Sequence, residues 1–169
     1  MVQAEEHFAR LGVGASLEAI ARDAGVGSAT LYRHFPTRED LLAGIFERHI
    51  VELDAEIDRI QHLQDSGEAL AAWLAVVEEF FSTFEGLPEP VRAAMIEEGH
   101  PLASPCAGFL DRTAEFLEAA QRDGKVRKGL RAQDLFLAAL ALSWVRGSSF
   151  NDEQTPANLR DVLRNGYGT

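Results

Sequence analysis

One cysteine, Cys106, is the only thiol in 169 residues. That excludes an intramolecular disulfide framework and any zinc site built from clustered cysteines. Lysine is nearly as scarce: of the 16 Lys+Arg, only Lys125 and Lys128 are lysine. Arginine suits paired contacts to phosphate or carboxylate better than lysine does, although a coding-composition bias is the plainer explanation. Cations of either kind are outnumbered, because 27 Asp+Glu leave a formal net charge of -11. Taken whole, that balance speaks against nonspecific coating of nucleic acid, which needs cationic surface. It also speaks against a polybasic membrane binder. Long apolar runs are missing. The most apolar stretch, Leu135 to Val145 (LFLAALALSWV), is too short to cross a bilayer as a helix and reads as a buried core helix. The opening Met1-Val2-Gln3-Ala4-Glu5-Glu6 has no basic n-region and no apolar h-region, so no secretory signal is expected. Neither a fixed-period repeat nor a low-complexity segment is visible. What remains is ordinary for a globular chain, 46% apolar and 25% charged, at roughly one to one and a half domain lengths. A soluble, cytoplasmic protein without a membrane partner is expected.

The periodicity is helical nearly throughout. Ala4, Phe8 and Leu11 fall on one side of a short helix ending at Gly12. Ser16 caps a second helix carrying Leu17, Ile20 and Ala21, and Gly25-Val26-Gly27 breaks it. Ser28 opens a third, Ala29 to Phe35, closed by Pro36. Thr37 and Asp40 have the form of a capping box before a long helix with Leu41, Leu42, Ile45, Phe46, His49, Ile50, Leu53, Ile57 and Ile60 on its stripe. Asp65-Ser66-Gly67 leads into a helix with Leu70, Trp73, Leu74, Val77, Phe80, Phe81 and Phe84 on a wide apolar face. A short helix is expected over Val91 to Glu98. Ser104-Pro105 and Thr155-Pro156 are caps followed by a proline at the first helical position, and Ala132 to about Gly147 is the most hydrophobic helix. The pattern predicts an all-α chain of about nine helices with no convincing strand. A split near residue 47 gives a small module, residues 1–47, and a larger helical body, residues 48–169.

Ser16 to Phe35 has the grammar of a helix-turn-helix, two short helices meeting through a glycine turn. Gly25 can adopt the positive φ the turn needs. Leu17, Ile20, Val26, Leu31 and Phe35 can bury against Phe8 and Leu11. That leaves Ser28, Thr30, Tyr32, Arg33 and His34 exposed, a compact polar set suited to the major groove with phosphates on either side. A helical hairpin with no DNA role is the competing reading.

The stretch SLEAIARDAGVGSATLYRHFPTREDLL resembles the DNA-binding domain of TetR-type transcriptional repressors, and AGVGSATLYRHFPTREDL within it is far more specific than a generic helix-turn-helix. The close match covers about residues 4–48. Beyond it the body matches in layout, including a connector RDGKVRKGLRAQDL that resembles the link before the family's last two helices. The resemblance implies a homodimer with a three-helix N-terminal helix-turn-helix domain and a C-terminal helical domain for ligand binding and dimerisation. It would be a repressor released from a palindromic double-stranded operator by a small-molecule effector. Carried over position by position, Ser28, Ala29 and Thr30 match positions that face bases or nearby phosphates. Tyr32 and His34 match residues that reach the backbone or a base edge. Ser16, Thr37 and Arg38 match phosphate contacts, and Arg33 either contacts a phosphate or points to solvent. Plain capping competes for Ser16 and Thr37, and packing competes for Tyr32 and His34. Members usually begin with a flexible basic arm and a longer first helix, whereas here Met1 falls inside that helix.

Most aromatics lie in the body, where core packing is the first reading for each. With the family in view, Trp73, Val77, Phe80, Met95, Phe109, Thr113, Phe116 and Trp144 are candidates to line a pocket for a largely apolar effector. Glu98, His100 and Asn151 are candidate polar groups there. The last two helices would form a four-helix dimer interface through Leu135, Ala138, Ala139, Leu142, Val145, Leu159, Val162 and Leu163, a buried intramolecular helix being the alternative. Nothing resembles a catalytic constellation. Glu78-Glu79 and Glu97-Glu98 are adjacent pairs that a helix points apart, and they read as solvated faces. The five histidines lack metal-ligand spacing, so no metal, no cofactor and no enzyme activity is expected. Cys106, at a helix start, is a candidate redox thiol. An alternative from another class is a helical ligand-binding and dimerisation protein that has lost DNA binding.

Dividing the charge changes its meaning. Residues 1–48 hold 5 Arg and 7 acids, net -2, while residues 49–169 hold 11 basic and 20 acidic residues, net -9. Most of the acidity belongs to the body. Without a basic arm, operator binding is expected to depend on base contacts and dimerisation.

Overall fold

A computed structural model describes residues 1–147, 152 and 154–167. The described residues form nine helices and no strand: α1 (Val2–Leu11), α2 (Leu17–Asp23), α3 (Ser28–His34), α4 (Arg38–Gln61), α5 (Ser66–Ser82), α6 (Pro88–Ala94), α7 (Ala103–Arg122), α8 (Ala132–Gly147) and α9 (Thr155–Tyr167). Several boundaries differ from the sequence pattern, among them α3, which runs from Ser28 to His34 rather than Ala29 to Phe35, and α9, which takes in Thr155. The sixth helix starts at Pro88 and ends at Ala94, because Pro88 and Pro90 fit a first turn whose N–H groups have no intrahelical partner. α7 starts at Ala103, so Ser104, expected as its cap, lies inside its first turn. No helix among the described residues is long and apolar enough to cross a membrane.

Two compact units make up the chain. One is Met1–Glu52 with Thr83–Cys106, the other Leu53–Ser82 with Ala107–Thr169. The first unit therefore extends past residue 47 and includes α6.

In the first unit Phe8, Ile20, Leu41, Leu42, Ile45 and Phe46 are almost completely buried. The α2–α3 turn is a Schellman motif. Gly25 N–H donates to Arg22 O at 3.0 Å and Val26 N–H to Ala21 O at 3.0 Å. Gly25 sits at φ 70°, which a side chain would strain. Gly12 serves a different purpose. Val13 N–H donates to Glu85 O at 2.8 Å, and a Cβ on Gly12 would lie 2.9 Å from that oxygen. Leu11 and Val26, expected in the core, are exposed. Leu11 ends its helix, and Val26 lies in the turn.

The second unit is built on an aromatic cluster. Trp73 stacks with Phe109 and Phe116, at centroid separations of 6.0 and 5.7 Å. Phe81 meets Phe109 and Phe136 edge-on, at 5.2 and 5.6 Å. The Trp73 indole N–H donates to Thr113 Oγ1 at 2.9 Å, and the Thr113 hydroxyl donates to Phe109 O at 2.8 Å. The one polar group that the large indole brings inside is thereby satisfied.

Candidate nucleic-acid interface and the groove of the second unit

α3 is a two-turn helix fixed by one deeply buried side chain, Leu31, with Ser28, Ala29, Tyr32, Arg33 and His34 exposed and Thr30 half-buried. Gly27 rather than Ser28 is its N-cap, and its carbonyl accepts from Thr30 N–H and Leu31 N–H. The Ser28 hydroxyl is thus not engaged as that helix's cap. Ser16 does cap α2, its Oγ accepting from Ala19 N–H at 3.2 Å. Thr37 and Asp40 form the reciprocal capping box: Thr37 N–H donates to the Asp40 carboxylate at 2.9 Å, and Asp40 N–H donates to Thr37 Oγ1 at 3.1 Å.

Two of the expected contact residues are engaged within the chain. Arg38 does not extend freely toward a phosphate. Its Nη1 donates to Val13 O at 2.6 Å and Ala15 O at 2.5 Å, and its guanidinium lies 6.0 Å from the centre of the Phe8 ring. It braces the α1–α2 loop. The Tyr32 hydroxyl donates to Glu18 Oε1 at 2.8 Å, and the Ser16 hydroxyl donates to Glu18 Oε2 at 2.9 Å. The backbone hydrogen bond at Glu18, then those from Tyr32 and Ser16, hold its carboxyl below the usual range, so the anion is kept on this face. Glu18 has no signal in the sequence pattern because its partner lies 14 residues away on another helix.

Behind the face, α1 is tied to the end of α2 by His7 Nε2 and Asp23 Oδ2 at 2.8 Å. The His7 hydrogen bond is the main cause lowering the Asp23 pKa.

The expected pocket residues divide. Trp73, Val77, Phe80, Phe109, Thr113 and Phe116 are buried in the second unit, and the aromatic members pack on one another. Met95 belongs to the first unit. Trp144 is 58% exposed and takes no place in that buried cluster. Glu98 is exposed, and His100 Nδ1 accepts from Leu102 N–H at 3.2 Å. Asn151 lies outside the described residues.

An open cavity of about 360 Å³ lies elsewhere in the second unit, among α5, α8 and α9. Its walls include Leu135, Ala138, Ala139, Leu142 and Leu163, five of the residues expected at a dimer interface. Leu135, Ala139 and Leu142 are buried within the single chain, where they line the open cavity. Val162 and Leu163 remain exposed, while Val145 and Leu159 are half-buried. The outward side of α8 instead carries Leu137, Ala141 and Trp144, three and four residues apart.

Glu78 corrects another expectation. Read as solvated, it is 1% exposed and lines this cavity. Arg160 Nε and Nη2 donate to its two oxygens at 2.6 and 2.7 Å. Ala71, Leu74, Ala75 and Glu78 follow an i, i+3, i+4, i+7 stripe, the signal that places this carboxylate on the inward side. Cys106 is buried, and burial pushes its thiol up to about 12, opposite to what a redox thiol needs. No group of three or more His, Cys, Asp or Glu among the described residues is placed to hold a metal ion.

Residues 1–45 match the family model for bacterial regulatory proteins of the tetR family, and residues 65–167 match the SbtR-like transcriptional regulator C-terminal domain. The chain belongs to the TetR family. It is a DNA-binding transcriptional regulator of the all-α TetR fold. Nucleoid occlusion factor SlmA from Vibrio vulnificus is 28% identical over 155 residues, covering 88% of this TetR-family chain and 79% of the relative. SlmA from Vibrio campbellii is 30% identical over 138 residues, covering 76% and 68%. Among solved structures, a TetR transcriptional regulator from Streptomyces coelicolor superposes with a TM-score of 0.66 at 28% identity, covering 99% of this chain and 95% of that one. FadR from Bacillus subtilis, solved in complex with stearoyl-CoA, shares the fold at a TM-score of 0.69 and 20% identity, covering 98% and 96%.

Proposed function

We propose that this TetR-family regulator is a ligand-responsive repressor. Residues 1–47 bind DNA, and residues 48–169 bind the effector and dimerise. Two copies hold a palindromic operator, and a small, largely apolar effector bound in the second unit lowers operator affinity. No reaction is assigned to the chain. The observation that carries the DNA-binding part is the short α3, anchored by Leu31 and presenting Ser28, Ala29, Tyr32, Arg33 and His34 outward. Such a helix can enter the major groove without moving its own core residue. Ser16 and Thr37 flank it at the starts of α2 and α4, where exposed amides favour phosphate. The dimer reading is supported by Leu137, Trp144 and Val162, large apolar side chains exposed on α8 and α9. Exposed apolar side chains that join into one patch mark interaction sites.

A mobility-shift titration with the DNA flanking the protein's own gene tests the reading. The native full-length chain should shift that DNA, and Arg33→Ala combined with Thr30→Ala should abolish the shift while the circular-dichroism spectrum stays helical. No shift by the folded native chain sinks it and favours a ligand-binding module without DNA.

A further inference from the structure

The two ends of α3 are held in different ways. Its C-terminal end rests on α4, where the Phe35 ring lies so close to Gly44 that a Cβ there would sit 3.1 Å from Phe35 Cε1. Its N-terminal end, which carries Ser28, Ala29 and Thr30, has no side-chain cap. That end hangs from the last turn of α2, through Gly25 N–H to Arg22 O and Val26 N–H to Ala21 O. The position of Ser28 therefore follows the position in which α2 ends.

The end of α2 is tied to α1. Asp23 is the last residue of α2, and its Oδ2 accepts from His7 Nε2 at 2.8 Å. Nε2 carries the proton, because an ionised carboxylate only accepts. His7 is 5% exposed, and its other ring nitrogen, Nδ1, is buried without a partner among the described residues. Losing Asp23 would leave a buried imidazole with no hydrogen bond, a costly state. α1 is fixed in turn to α4, since Glu5 pairs with Arg48 and its Oε1 lies 2.7 Å from His49 Nε2. The N-terminal end of α3 is thus referred back to α4 through α1, by a route separate from Phe35.

We propose that His7 and Asp23 are positioning residues for operator recognition, their hydrogen bond setting where the N-terminal end of α3 lies and so how Ser28, Ala29 and Thr30 reach the bases. This rests on the reading that α3 meets DNA. His7 acts from behind the face, through Asp23 and the turn. A small displacement of Ser28 to Thr30 spoils hydrogen bonds to base edges, which weaken steeply with misalignment. Attraction to phosphate is long-ranged and carries no sequence information. Loss of the tie therefore appears as lost specificity and leaves general DNA affinity in place.

The test is a set of mobility-shift titrations of the full chain with the DNA flanking the protein's own gene and with a scrambled duplex of the same length. Asp23→Ala and Asp23→Asn remove the same charge, but only asparagine keeps an oxygen that can accept from His7 Nε2–H. Asp23→Ala should bind the flanking DNA about tenfold more weakly than Asp23→Asn, the scale of one charge-assisted hydrogen bond. The two should bind the scrambled duplex equally. His7→Gln, whose amide nitrogen reaches the place of Nε2, should bind like the native chain, whereas the shorter His7→Asn should match Asp23→Ala. Combining His7→Asn with Asp23→Ala should cost no more than either alone. Circular dichroism checks that each variant is folded. Asp23 is 39% exposed, so its two variants still decide if His7→Asn fails to fold. Equal binding of the flanking DNA by Asp23→Ala and Asp23→Asn, or an equal loss on both duplexes, overturns the proposal. No shift by the folded native chain overturns the reading of α3 and this inference with it. A native shift that Asp23→Ala preserves in full overturns this inference alone.

Discussion

Tyr32 on the recognition helix donates its hydroxyl to Glu18 on the preceding helix at 2.8 Å. A carboxylate therefore occupies the hydroxyl on the surface proposed to meet DNA, where a phosphate would have to compete with it. Glu18→Gln should raise operator affinity about threefold or more, the scale of one phosphate contact at moderate salt. In a Tyr32→Phe background the gain should shrink, because the shared hydroxyl is gone. A mobility-shift titration of the double-mutant cycle reads both. Unchanged affinity in Glu18→Gln would mean that the contact does not compete with DNA.

Arg38 and Arg33 are both cations of the helix-turn-helix, but they should fail differently. Arg38 is held by the carbonyls of Val13 and Ala15. Arg38→Ala leaves those acceptors without that donor and should lower stability by about 2 kcal/mol, within the range for hydrogen bonds to a charged group. Arg33 is exposed on α3. Arg33→Ala should leave urea denaturation unchanged and reduce the salt dependence of operator binding by about one counterion. Denaturation curves and salt titrations of the two variants distinguish brace from contact.

Cys106 should be inert in the folded chain. Burial raises its pKa from 9.0 to about 12, so the neutral thiol persists through neutral and mildly alkaline pH and thiolate appears only as pH approaches the raised value. At pH 8 the thiolate fraction is roughly a thousandfold below that of an unperturbed thiol. Iodoacetamide should label the native chain slowly and the urea-unfolded chain rapidly. Fast native labelling would contradict the buried assignment.

The two apolar sides of α8 give the fourth prediction. Trp144 is exposed and Leu142 is 8% exposed. Trp144→Glu should yield a folded chain that sediments as a monomer. Leu142→Glu should instead lose helical structure, because it buries an unpaired charge. A folded dimer from Trp144→Glu would place the interface elsewhere.

Local chemistry makes much of this chain legible in its residue order. The Gly25 turn, the Ser16 cap, the Thr37–Asp40 capping box and the Ala132 helix start each depend on residues a few positions apart, so short stretches carry the information. Leu31 inward with Tyr32, Arg33 and His34 outward also follows from spacing within one short helix. Spacing could not decide which of two equally apolar faces turns inward. On α8, Leu135, Ala139 and Leu142 and, on the other side, Leu137, Ala141 and Trp144 are equally apolar sets. Only packing against α5 and α9 chose between them, burying the first. The charged groups were decided in the same way. Arg38 became a brace and Glu18 a lock on Tyr32 through partners at least 14 residues away. Glu78 became a buried anion because Arg160, 82 residues on, returns to meet it. By itself the sequence determined helices, caps and the exposed side of α3, since these are short-range. Tertiary structure alone decided partnerships and inward faces, since those depend on which distant surfaces exclude water together.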